Sequence, residues 1–167
     1  MNLIKKIIKL LPPKKSCPLS RFNQKKYWLL LAILLIFTVI FYPKPDDSRK
    51  LPIQIKGVVV RVEVANTPTQ KGRGLMYRQA LSQDEGMLFV YDYEGNNTFW
   101  MKNTLIPLDI IWLNSKKEVV HIEHSTPPCK KSPCPTYSSP YKSQYVLELN
   151  GGWAIKNGLA QGDQISF

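Results

Sequence analysis

The chain has 167 residues, of which 44% are hydrophobic, and a formal net charge of +11; that length suits one domain plus an appendage. Eight of its 23 basic residues and none of its twelve acidic residues fall in residues 1–26, which leaves fifteen basic against twelve acidic in residues 43–167. The positive excess is a property of the tail, which argues against a nucleic-acid-binding face on the fold itself.

Within the basic tail, residues 3–11 (LIKKIIKLL) place apolar residues at helical spacing with lysines between them. Such a stretch either lies on an anionic inner leaflet or stays a solvated tail. Cys17 follows two lysines rather than an apolar run, so it does not sit in a lipoprotein signal; it is inert, or at most a palmitoylation site. Residues 27–42 (YWLLLAILLIFTVIFY) hold no charge, Gly or Pro. Sixteen helical residues span ~24 Å, against a hydrocarbon core of ~30 Å. Tyr27, Trp28 and Tyr42 suit the interface, and Lys25 and Lys26 can snorkel. No small-x-small cleavage site follows, which favours an uncleaved transmembrane anchor in the bilayer over a signal peptide and a secreted mature chain. The positive-inside rule then places residues 1–26 in the cytoplasm and residues 43–167 on the periplasmic or outer side of the inner membrane.

Residues 43–52, with three prolines and several charges, are expected to be a linker, leaving 53–167 as the folded domain. Val58, Val60, Val62 and Val64 alternate with Arg61 and Glu63 and predict a strand. Thr67-Pro68-Thr69-Gln70 has the pattern of a capping box with proline at the first helical position, predicting a short helix to about Tyr77. Further strands are expected at 87–91, 99–102, 108–113, 118–123, 145–149 and 162–167, with a turn at 93–98, a hairpin over 114–117 and one helical turn at 153–157. This pattern predicts a mainly β, sandwich- or barrel-like single domain with one or two short helices, preceded by the transmembrane helix.

Residues 125–143 form a long loop with five prolines, five serines and the two outer cysteines, Cys129 and Cys134. In an oxidising compartment these two most simply form a disulfide. A zinc site would need two more ligands, with His121 and His124 the nearest, and two free thiols are the third reading. No metal or cofactor site is expected. Met76, Met87 and Met101 fall close together among Phe89, Phe99, Trp100 and Trp112, a pattern for core filling rather than copper binding.

The chain has no phosphate loop, nucleophile elbow or HExxH. It does carry Gly74-Leu75-Met76, Gly86-Met87-Leu88-Phe89, Trp100-Met101-Lys102-Asn103-Thr104 and Leu108-Asp109 in order. On these strings, residues 58–167 resemble the DUF192 family, also called UPF0127, a group of uncharacterised bacterial and archaeal proteins. The resemblance implies a mainly β, sandwich-like fold and no particular activity.

Asp109 lies in an apolar strand, where a carboxylate must be paired or protonated. One reading is a buried ion pair tying helix to sheet. The other is a polar pocket with Asp109 as its floor and Arg78, Lys102 and Asn103 at its rim, fit for a small anionic or sugar-like ligand. The expected function is accordingly a membrane-anchored extracytoplasmic module that binds a small ligand or an envelope partner. The alternative is a hydrolase or transferase with Asp109 as general base and Lys102 or Arg78 stabilising an anion.

Overall fold

The computed structural model describes residues 24–41 and 50–167, with side chains placed for 27–35 in the first of these stretches. The amphipathic reading of residues 3–11, Cys17 and the linker at 43–49 lie outside the described residues. The chain divides into two units, Met1–Asp46 and Asp47–Phe167. In the first, α1 (Gln24–Phe41) is a helix of 18 residues, ~27 Å long. Residues 27–35 are all exposed. Among the described residues no helix is long and apolar enough to cross a membrane, so the span expected at 27–42 is met only as a helix.

The second unit is mainly β. Strand β1 (Leu51–Ile55) pairs antiparallel with β2 (Val58–Ala65) through the two-residue loop Lys56-Gly57. Both loop residues have positive φ, 51° and 82°, as the twist of a tight hairpin demands. The expected linker therefore ends before Leu51. Ile53 and Ile55 are buried while Pro52 and Gln54 face out, and Pro52 is tolerated because β1 is an edge strand.

Strand β3 (Glu85–Gly95) pairs parallel with β2, which requires a crossover. That crossover holds α2 (Pro68–Arg73), whose capping box forms as the sequence predicts, with Thr67 and Gln70 bonded reciprocally. The helix stops short of Tyr77 because Gly74 takes φ +48° and ψ −138°, a conformation that ends it. The remaining strands are β4 (Thr98–Trp100), β5 (Leu108–Leu113), β6 (Val119–Thr126), β7 (Thr136–Ser138) and β8 (Ser143–Asn150), followed by the single turn α3 (Trp153–Lys156). The main sheet has the order β1-β2-β3-β8-β5-β6, and β4 pairs with β7 as a separate ribbon.

The C-terminal segment closes the sheet. Gln54 and Ser166 exchange backbone hydrogen bonds at the β1 edge, while Val119 N–H donates to Asp163 O and Ile165 N–H to Lys117 O at the β6 end. Both edges of the six-stranded sheet are thus bridged by one tail, which makes the domain barrel-like and removes its free edges there.

Alternation along the strands sends side chains into two cores. Leu88, Ile111, Leu113, Leu147 and Leu149 join Ile53, Val60, Trp153 and Ile165 in one. Met87, Phe89, Ile110, Trp112 and Val146 join Leu75, Phe99 and Met101 in the other. Strand β5 is buried at all six positions, because both of its faces are covered. The methionines behave as packing residues: Met101 is fully buried, and Met87 nearly so.

Candidate functional site

Asp109 is fully buried, on the face of β5 that alternation gives it. Its partners are not cations. Ser125 N–H and Gly152 N–H donate to Oδ1 at 2.7 and 2.8 Å, and Ala154 N–H donates to Oδ2 at 2.7 Å. The carboxylate thereby fixes the end of β6 and the start of α3 against β5, a fully hydrogen-bonded arrangement for a buried acceptor.

The other expected pocket residues lie elsewhere. Arg78 forms a two-pronged pair with Glu63, with Nη1 and Nη2 at 2.8 and 2.6 Å from the two carboxylate oxygens. Those hydrogen bonds from Arg78 hold the Glu63 carboxyl below the usual range, against the opposing effect of burial. Lys102 Nζ sits 5.1 Å from the Trp100 ring. Asn103 has φ 57° and donates to the Tyr77 hydroxyl at 2.8 Å. Lys102 and Asn103 do meet, with Lys130, Lys131 and Ser132, in a surface cleft of ~200 Å³ beside the disulfide. Asp109 and Arg78 do not line it.

Cys129 and Cys134 are joined, with Cα atoms 5.7 Å apart. The disulfide replaces the zinc and free-thiol readings. His121 lies 3.6 Å from Glu123 and against the Trp112 ring. Among the described residues no group of three or more His, Cys, Asp or Glu is placed to hold a metal.

A carboxylate that sequence reasoning passed over carries the stronger signal. Glu148 lies on β8 opposite Met87 of β3 and Ile110 of β5. Its residue is 5% exposed. Its Oε2 is buried without a hydrogen-bond partner. Burial pushes its pKa up to about 8, with only the charge of Arg78 acting the other way. Burial, and after it the charge of Glu148, raises the pKa of the Tyr91 hydroxyl.

Glu148 opens onto a cleft of ~30 Å³, room for about one or two waters. The cleft is lined by residues 71–76 together with Phe89, Phe99, Trp100 and the buried Thr104. Local sequence builds this opening. Gly74 ends α2 beside the site, and a Cβ there would meet the Phe89 ring at 3.3 Å and approach Glu148 Oε2 at 3.9 Å. Phe89 and Phe99 stack edge to face at 4.9 Å, which fixes the wall. Trp100, 46% exposed, stands at the rim. Residues 100–104 contribute to both clefts, Trp100 and Thr104 to this one and Lys102 and Asn103 to the lysine-rich one. The signal in the sequence was the single acid within Tyr145-Val146-Leu147-Glu148-Leu149, on the same face as Val146.

The sequence profile of DUF192, described as an uncharacterized ACR family, matches residues 51–167. A crystal structure of a protein of unknown function from Novosphingobium aromaticivorans DSM 12444 is 34% identical, covers 71% of this chain and 85% of its own, and superposes with a TM-score of 0.65. A crystal structure of a protein from Sinorhizobium meliloti 1021, named there as a candidate transcription regulator, is 33% identical with a TM-score of 0.62; the match covers 69% of this chain and 88% of that one. No curated protein matches. With residues 51–167 spanning the whole β domain, this chain belongs to the DUF192 family.

Proposed function

We propose that the β domain is a binding module for a small polar ligand and that the cleft ending at Glu148 receives it. One observation carries this reading. A carboxyl oxygen is buried at the foot of an open cleft with nothing to bond to. Leaving such a group unpaired costs about 1–3 kcal/mol or more. Asp109, equally buried, has every oxygen bonded, so the fold can satisfy a carboxylate where the role is structural. An unpaired one is what a ligand would complete.

The same proposal places the module on the outer side of a membrane, anchored by α1. Its support is the uncharged run at 27–42, the tail of eight basic and no acidic residues, and the disulfide in the β domain. The hydrolase or transferase reading with Asp109 as base is weaker. The Asp109 oxygens are taken by backbone N–H groups, Arg78 is engaged by Glu63, and Lys102 lies beside Trp100.

A thermal-shift screen of polar metabolites on the detergent-solubilised full chain tests the site. Compounds that stabilise the native chain but not Glu148→Leu are expected. Hits unaffected by that substitution, or none at all, would remove the cleft from consideration. Protease added outside intact spheroplasts should digest residues 43–167 and spare residues 1–26; the reverse pattern would invert the orientation.

A further inference from the structure

The geometry points to a small organic carboxylate as the ligand, with Glu148 serving as hydrogen-bond donor at the floor and Lys71 and Arg73 offsetting the ligand's charge at the mouth. This rests on the reading of the Glu148 cleft as a binding site and specifies its chemistry.

Three observations converge. The first is the state of Glu148. Its neighbours across the sheet are Met87 and Ile110, and its Oε2 has no partner. No cation contacts the carboxyl: Arg78 is held by Glu63, and Lys71 Nζ sits 4.3 Å over the Tyr91 ring. A carboxyl buried in apolar surroundings without a contacting counter-charge keeps its proton. A protonated carboxyl has an O–H to give, so it seeks an acceptor rather than a cation.

The second observation is the charge of the lining. Apart from Glu148 itself, the charged residues of the cleft are Lys71 and Arg73, both basic. With the floor neutral, a negative ligand is drawn in and a cation is repelled. The third is size. The room, ~30 Å³, takes the end of a molecule rather than a whole metabolite. A carboxylate tip would occupy this room, leaving the rest of the ligand outside, where the exposed Trp100 borders the cleft. The resulting O–H to carboxylate bond is charge-assisted and among the stronger neutral-donor types.

Binding is then coupled to pH. The charged and titratable groups around Glu148 are Lys71 and Arg73 on α2, Arg78 after it, Glu63 on β2 and Tyr91 on β3, with Lys102 beyond Trp100. Once Glu148 ionises, donor becomes repelling acceptor, and affinity falls about tenfold per pH unit.

The test uses the full chain in detergent with ¹³C-methyl methionine. Met76 lines the cleft, Met87 flanks Glu148, and Met101 is buried away from solvent. Sodium formate and methylammonium chloride are the probes, each titrated at pH 6 and pH 9. Formate is expected to shift the Met76 and Met87 methyls at pH 6 and to bind at least tenfold more weakly at pH 9. Glu148→Gln, which keeps an N–H donor, should bind formate equally at both pH values; an unchanged Met101 signal certifies its fold. Binding of methylammonium in place of formate, tighter at pH 9, would overturn the ligand class while leaving the cleft as a binding site. No response to either probe would overturn both.

Discussion

Replacing Glu148 by Gln should change how stability depends on pH more than it changes stability at any one acidic pH. The native carboxyl has a pKa raised from 4.5 to about 8 by burial. A group whose folded value lies above its unfolded value binds more protons when folded. Its stabilising contribution is therefore complete below pH ~4.5 and is lost as pH rises through ~8. Each pH unit across that window removes about 1.4 kcal/mol. The native chain should lose on the order of 3 kcal/mol between pH 4.5 and 7 from this group, and on the order of 5 kcal/mol by pH 9. Against a domain stability of about 5–15 kcal/mol, that loss is large. Gln cannot ionise, and every other titrating group is common to both chains. The difference in unfolding free energy between Glu148→Gln and native should thus climb steeply from pH 5 to pH 9 in the variant's favour. Urea melts at one-unit pH steps, followed by tryptophan fluorescence, give that difference directly. A difference independent of pH would mean that Glu148 is ionised and solvated in the folded chain, and the reasoning from its burial would fail.

Asp109→Asn should lower stability by about 3 kcal/mol, because an amide group placed at Oδ2 would face the Ala154 N–H donor to donor; an unchanged denaturation midpoint would contradict this. Gly86→Ala is expected to cost more than the roughly 1 kcal/mol of a surface change, since its Cβ would lie 2.6 Å from the Glu148 carbonyl oxygen and from Leu149 Cδ2. A Gly86→Ala chain that melts like native would show that β3 and β8 can part there without penalty. Removing both Cys129 and Cys134 as serines should cost about 2 kcal/mol, the chain-entropy value for so short a loop, and still leave a folded domain; failure to fold would show that the disulfide does more than close its loop.

Where function is concerned, the sequence was legible in proportion to how local each signal is. The capping box at Thr67 and Gln70 and the alternation of β5 could be read because each lies within a few residues. Strand β1 was hidden by Pro52, which a central strand would not hold but an edge strand does. The segment 162–167, expected as a closing strand, does close the sheet but only through isolated bridges of Gln164 and Ser166 with Glu118 and Gln54, partners that no periodicity announces.

The two buried acids show the same limit. Asp109 stood out because apolar residues flank it on both sides, yet its partners are backbone N–H groups at 125, 152 and 154. Glu148 drew no expectation beyond its place in the strand at 145–149, because its burial comes from a second core that includes Phe99 and Leu75 and lies far away in sequence. Arg78 pairs with Glu63 of β2, fifteen residues earlier, so it is not at Asp109, where the sequence alone would place it.

The central claim is that Glu148 is an uncharged acid at the foot of a binding cleft. Isotope-edited infrared spectroscopy of the full chain, labelled with ¹³C-carboxyl glutamate and differenced against Glu148→Gln, reads that carboxyl alone. The account predicts a protonated C=O band that disappears with a midpoint near pH 8. A carboxylate band already complete at pH 6 would contradict it.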